Sequence, residues 1–357
     1  MKKNNHQKSI HSGVKEIAKM ANVSIATVDR VLHNRAGVAP STKRRIHRII
    51  KELDYKPNII ASRLASRKVF HFAVLIPAVS DETDFWQGPL NGVIRAEKTI
   101  KEYGVKIDFY FFDISNRNSF VEQSHKVFNN NVDGVLLAPS FINEAKIFTE
   151  ECRKNKVPYV LIDSNIPHEE NLCYIGPHLF RSGLLGAQLV NLMLGEEGEI
   201  LIVNIAHEVD DHNYLLEIEQ GFRSYFSYRD LHPDIHKIDL RQTDYASIAK
   251  SLDKIFRTKD TPIAVFVTNS RVNIVARYFE EAKIEIELLI GFDFINKNIE
   301  YLKKGIIDVL ICHKSEEQGY KGIMALYQHL VLEETVENIH FMPIDIITSE
   351  NCEFYSN

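Results

Sequence analysis

The chain has 357 residues, 45% hydrophobic and 25% charged, which are ordinary globular values at a length suited to two or three domains of roughly 100–200 residues. A disulfide miniprotein is excluded by size, and no apolar stretch nears the roughly 18 residues that span a bilayer. The net charge of −5 hides a division: residues 1–68 carry sixteen Lys and Arg against four Asp and Glu, a net of +12, and the remainder carries −17.

A small basic module on an acidic body is the electrostatic footprint of a nucleic-acid binder, because Lys and Arg gain affinity by releasing counterions from phosphates. The start, MKKNNHQKSIHS, lacks the apolar segment of a secretory signal, so a cytoplasmic location is expected. Val14, Ile17, Ala18 and Ala21 recur at helical spacing and predict a helix over 13–21, after which Asn22 suits the left-handed residue of a tight turn. Ser24 is placed to cap a second helix over 25–33, with Val28, Val31 and Leu32 inward and Thr27, Arg30 and Asn34 outward. A third helix starts at Pro40, with Ile46, Ile49, Ile50 and Leu53 inside and Lys43, Arg44, Arg45 and Arg48 outside.

Three such helices can close one small core, and the first two form a helix-turn-helix able to enter the roughly 12 Å wide major groove. Ile25 and Ala26 offer apolar contact to a thymine methyl and Arg30 a bidentate bond to guanine, while Thr27, His33 and Asn34 suit phosphates. Residues 14–68, VKEIAKMANVSIATVDRVLHNRAGVAPSTKRRIHRIIKELDYKPNIIASRLASRK, closely resemble the DNA-binding head of the LacI/GalR family of bacterial repressors. The resemblance implies a helix-turn-helix domain over 1–56 that binds double-stranded operator DNA through the residues above together with Ser24. It also implies a hinge helix and linker over 57–68, in which Asn58 joins the DNA contacts and Leu64, packed beside Ala61, wedges into the minor groove. Two positions depart from the family pattern: Asp29 stands where a small polar residue is usual, and Ala39 replaces the more usual Ser cap.

From Phe70 onward, β-rich runs alternate with helical stretches: FHFAVLIP, a helix over 87–103, VKIDFYFF, a helix over 118–130, VDGVLLAP, a helix over 144–154, and VPYVLID. GEILIVNIA, IHKIDL, PIAVFVT, IELLIGFD and IIDVLIC continue the rhythm. Such alternation predicts right-handed βαβ units, and the strands are too many for one small sheet, so two doubly wound α/β lobes with a ligand crevice at their carboxyl ends are expected. This body is similar to the type I periplasmic sugar-binding proteins. That similarity implies an effector-binding and dimerisation domain over 69–357, crossed near 173–176, 312–316 and 338–344, with lobe 1 about 69–174 and 314–340 and lobe 2 about 175–313 and 341–357.

Phe85 and Trp86 follow the first strand where sugar-binding relatives stack an aromatic ring on a sugar face, against the alternative of core packing. Asp163, Asn269 and Asp293 stand at strand ends, where each could bind sugar hydroxyls or merely cap the next helix, and His313 matches a further polar contact position. Before Gly221, where relatives carry a ligand-binding arginine, stands Leu216, with Asn213 or His212 as candidate substitutes.

Cys152, Cys173, Cys312 and Cys352 show no CxxC spacing and read as buried thiols, and Asp210, Asp211 and His212 read as a solvated turn. No cofactor or metal is expected, and neither is catalysis, because GxGxxG after a strand, Walker, HExxH and GxSxG patterns are missing. The reading is a homodimeric regulator, a repressor controlled by a small sugar-like effector, without a coiled-coil heptad to make a tetramer. The alternative is an orphan or partner-controlled regulator whose cleft no longer takes a sugar.

Overall fold

The computed structural model describes residues 13–32, 35–53, 55, 68–80, 84–195, 198–207, 213–257 and 264–357. The chain divides into two compact units, Met1–Ser62 and Arg63–Asn357. His33, Asn34, Asn58, Ala61, Leu64, Asp210, Asp211 and His212 lie outside the described residues.

In the first unit α1 (Val14–Met20), α2 (Ile25–Leu32) and α3 (Pro40–Glu52) close on a core in which Ile17, Val28 and Ile46 are fully buried. Burying each such side chain contributes roughly 1.5–3 kcal/mol toward the entropy cost of ordering the three helices. The turn between α1 and α2 uses Asn22 at φ 47°, a conformation its short polar side chain tolerates. Ser24 caps α2, its hydroxyl accepting from the Thr27 amide at 3.2 Å. Pro40 opens α3, and Ala39 before it provides no side-chain cap.

The second unit holds two six-stranded sheets. The first comprises β1 (Phe70–Pro77), β2 (Val105–Phe112), β3 (Gly134–Leu137), β4 (Tyr159–Ile162), β5 (Cys173–Gly176) and β11 (Ile339–Phe341), in the order β11-β5-β4-β3-β1-β2. The second comprises β6 (Glu199–Ile205), β7 (Asp234–Leu240), β8 (Ala264–Val267), β9 (Leu288–Phe292), β10 (Val309–Cys312) and β12 (Asp345–Ile347), in the order β12-β10-β9-β8-β6-β7. All pairings are parallel except β10 with β12.

Parallel sheets are covered on both faces, which is why their strands read as apolar runs rather than as an alternation. On β1, Phe72, Val74 and Ile76 pack toward α4 (Gln87–Ile100) and α12 (Ser315–Leu330), while Ala73 and Leu75 pack toward α5 (Arg117–Phe128) and α6 (Ile142–Lys154). On β6, Ile200 and Ile202 meet α7 (Leu179–Leu194) and α8 (Asn213–Ser227), and Leu201 and Val203 meet α9 (Tyr245–Phe256) and α10 (Val272–Ala282). The same construction therefore appears twice, once per lobe.

Each lobe also contains a helix pair in backbone contact. A Cβ on Gly92 of α4 would lie 1.9 Å from the Glu316 carbonyl oxygen of α12, and one on Gly183 of α7 would lie 2.0 Å from the Ile218 carbonyl oxygen of α8. The chain passes between sheets three times: from β5 to α7, from β10 to α12 and from β11 to β12. Among the described residues, no helix is long and apolar enough to cross a membrane, and no group of three or more His, Cys, Asp or Glu side chains could hold a metal ion. The four cysteines are buried and free.

Candidate functional site

Two surfaces carry the candidate chemistry. On the head, burial of Val28 and Val31 turns the opposite side of α2 outward, leaving Ile25 49% exposed beside exposed Ala26 and Arg30, with Thr27 half-buried. Asp29 pairs with Arg35 at 3.2 Å, and the Arg35 amide closes the end of α2 by donating to the Arg30 carbonyl at 2.7 Å. The acid that departs from the family pattern is therefore met by a cation six residues later.

In the body, the strand ends of both sheets face one cleft that opens to solvent and encloses about 100 Å³. It brings together Phe85, Trp86, Asp163, Asn269, Asp293 and His313 from the residues singled out in the sequence. Trp86 is 4% exposed, packs edge-on against Phe85 with ring centroids 5.1 Å apart, and belongs to the lobe-1 core as well as to the cleft wall. Asn213 opens α8, and its side chain lies outside the described part of the structure.

Asp163 follows β4 and Asp293 follows β9, both in the left-handed region at φ 67° and 72°, which turns each chain sharply at the strand end. Burial pushes the Asp163 carboxyl up to about 7, partly opposed by the hydrogen bond from Ser164. Asp293 is raised well above the ordinary range by burial and by the nearby charge of Asp163. Desolvation disfavours the charged form of a carboxyl, and a second carboxylate adds to the effect. His313 follows β10, stacks on Phe292 at 5.8 Å and shares a 2.8 Å hydrogen bond with Ser182 through Nε2. Its burial lowers the imidazole to about 4, so the ring is neutral at pH 7.

Four further residues build this site without having been singled out by sequence. Gln318 of α12 accepts from the Asp163 amide at 3.0 Å and donates to the His313 carbonyl at 3.1 Å, tying a lobe-1 strand end to the crossover from lobe 2. Asn298, fully buried, donates to the carbonyls of Ser270, Phe292 and Asp293 at 3.0, 2.8 and 3.1 Å and so locks two cleft loops together. Tyr214 lines the cleft, its phenol pushed up to about 12 by burial. Arg271, only 7% exposed, also lines it and donates from Nη1 to the Ile205 carbonyl at 3.1 Å.

A guanidinium lines the cleft although Leu216 stands where relatives carry their ligand-binding arginine. Leu216 is 42% exposed on α8 and is not a lining residue, whereas the loop after β8 delivers an arginine from another place in the chain. A polar residue two positions beyond Asn269, in the TNSR run at a strand's carboxyl end, was the available signal.

The comparisons with known proteins agree with both halves. Residues 72–334 match the periplasmic binding protein domain, and residues 13–58 match the lacI family of bacterial regulatory proteins. The HTH-type transcriptional regulator RegA of Clostridium acetobutylicum is 31% identical over 160 residues, which is 45% of this chain and 46% of that protein. The chain thus matches under half the length of the curated relatives. A structure described as a LacI transcriptional regulator from Bacteroides fragilis is 29% identical, with a TM-score of 0.76 over 81% of this chain and 100% of that one. GanP, a glucose-galactose binding protein from Geobacillus stearothermophilus, shares the fold at 20% identity, with a TM-score of 0.70 over 80% of this chain and 99% of that one. Over residues 72–334 the chain belongs to the periplasmic binding protein domain family, and it carries ahead of that body a helix-turn-helix head that matches the lacI family of bacterial regulatory proteins.

Proposed function

We propose that this protein is a sequence-specific transcriptional regulator, a repressor, that binds a palindromic operator as a homodimer and changes its DNA affinity when a sugar-like effector occupies the interlobe cleft. One observation carries the reading: a basic helix-turn-helix with Ile25, Ala26 and Arg30 outward shares its chain with a cleft in which carboxyls, a guanidinium and aromatic rings face one another. The first arrangement suits base edges and phosphates. The second suits a ring bearing hydroxyls, which needs acceptors and donors around its rim and an apolar surface for its face.

Two heads on a two-fold dimer read two half-sites, so effector binding that alters the dimer alters both contacts together. The coupling is linkage: an effector that favours one lobe arrangement shifts the population of the DNA-binding form. The protein binds its effector without transforming it, works where its DNA is, in the cytoplasm, and requires no cofactor. The names of RegA, a transcriptional regulator, and GanP, a glucose-galactose binding protein, support the two halves of this reading.

The test is selection of operator sequences from random duplex DNA with the full chain, followed by thermal unfolding against pentoses, hexoses, sugar acids and polyols. The reading expects a palindromic consensus and a selective midpoint rise, about 2.7 kcal/mol of stabilisation at 100 times the dissociation constant. A folded dimer that no compound stabilises would favour control by a partner protein.

A further inference from the structure

The loop after β8 uses its asparagine internally. Asn269 Nδ2 donates to the Ile205 carbonyl at 2.7 Å, its Oδ1 accepts from the Arg271 amide at 3.2 Å, and its side chain also bonds the Tyr214 hydroxyl. On the other side, Asn298 pins the Ser270 carbonyl between these residues and accepts from the Asn273 side chain at 2.7 Å. A side-chain amide has two donors and one two-lone-pair oxygen, so Asn269 keeps little capacity for a ligand. The permanently charged donor among the described lining residues is Arg271, whose Nη1 shares the Ile205 carbonyl with Asn269.

We propose that Arg271 is the specificity-determining donor of the cleft, directed at the oxygens of a polyhydroxylated ring, and that Asn269 is a positioning residue acting through it. The proposal rests on the effector reading above. Asp163 and Asp293 stand at two other strand ends of the same cleft and accept from hydroxyls, so the guanidinium supplies the complementary polarity that lets one ring be held from several sides. Fixing both the Arg271 amide and its side chain to groups held by β6 orients that donor before the ligand arrives, which lowers the ordering cost of binding.

The experiment is calorimetric titration of the full chain with D-ribose, D-arabinose, D-galactose, D-galacturonate and myo-inositol. It uses the wild type and the variants Arg271→Met, Arg271→Lys, Asn269→Ala and Asn269→Ala/Arg271→Met. For whichever compound binds the wild type, Arg271→Met weakens binding about 10- to 150-fold, the loss of a hydrogen bond to a charged group. Arg271→Lys recovers part of the loss. Asn269→Ala weakens the same compounds, and the double variant binds no more weakly than Arg271→Met. If Arg271→Met does not fold, the cycle is run with Arg271→Leu, which also removes the donor, and Asn269→Ala is again expected to add nothing to it.

Losses that add in the double variant would overturn the positioning role, because Asn269 would then touch the ligand by itself. Unchanged affinity in a folded Arg271→Met or Arg271→Leu chain would overturn the donor role while the effector reading stands. A wild type that binds none of the compounds would overturn that reading, and the proposal with it.

Discussion

Asn269 and Arg271 donate to one acceptor, the carbonyl oxygen of Ile205, at 2.7 and 3.1 Å. That oxygen ends β6, the neighbour of β8, so the cleft wall of lobe 2 is stitched across two strands, and Asn298 extends the stitching to the loop after β9. A wall fixed in this way moves as a body, and the adjustable part of the molecule is the set of three crossings between sheets, where Gln318 ties the Asp163 amide to the His313 carbonyl.

Trp86 is the only tryptophan in the chain and is buried against the cleft. A sugar that binds there is expected to change its emission on titration, and Trp86→Phe should remove the signal while a thermal shift persists. A compound shown by calorimetry to bind, with emission unchanged, would have to bind elsewhere.

The acid side of the stability profile should separate two groups. The folded Asp163 carboxyl is raised to about 7, so its contribution is fully present below its ordinary value of 3.8 and is lost as the pH rises through about 7. The folded His313 imidazole is lowered to about 4, so its contribution is present above the ordinary 6.5 and is lost as the pH falls toward 4. The two slopes oppose one another between about pH 4 and 6.5. Asp163→Asn removes one of them, and relative to wild type the variant should lose stability steadily as the pH drops from about 7 to about 4. Parallel urea-unfolding profiles for the two proteins across that range would contradict the burial of Asp163.

Gly92→Ala should force α4 and α12 apart, because the clash is with the Glu316 backbone carbonyl and no side-chain rotation relieves it. Overpacking of this kind typically costs 1–3 kcal/mol, roughly, and the urea midpoint should fall accordingly. An unchanged midpoint would mean that the two helices do not cross in backbone contact.

Arg30→Ala should weaken binding to a selected operator by about 1–3 kcal/mol and relax the preference at one base pair per half-site, the signature of a lost bidentate contact to guanine. An equal loss on every sequence would instead make Arg30 a phosphate contact.

The fold was legible because its signals are local. The run FHFAVLIP marks a strand covered on both faces, and the stripe of Ile17, Ala18 and Ala21 with Ser24 beyond it marks a helix, a turn and a cap. The strand-end residues Asp163, Asn269 and Asp293 were visible for the same reason, since in doubly wound sheets the carboxyl ends meet the crevice. Arg271 was not visible, because a basic residue at a helix start is usually solvated, and only the turn from β8 into α10 aims it into the cleft. Asn298 and Gln318 escaped for a related reason: each lies on a helix, Asn298 on Asn296–Lys303 and Gln318 on α12, and each bonds loops brought near only by the tertiary fold.

The central claim, that cleft occupancy sets DNA affinity, is tested most directly by fluorescence anisotropy on a selected palindromic operator, with and without the compound that stabilises the chain. The measurement compares wild type with Asp293→Ala. The expected result is a change in wild-type operator affinity of 5- to 150-fold, roughly the range of ordinary allosteric coupling. In Asp293→Ala, operator binding should persist and the response to the compound should vanish. An operator affinity that is the same in the presence and absence of a bound effector would contradict the account.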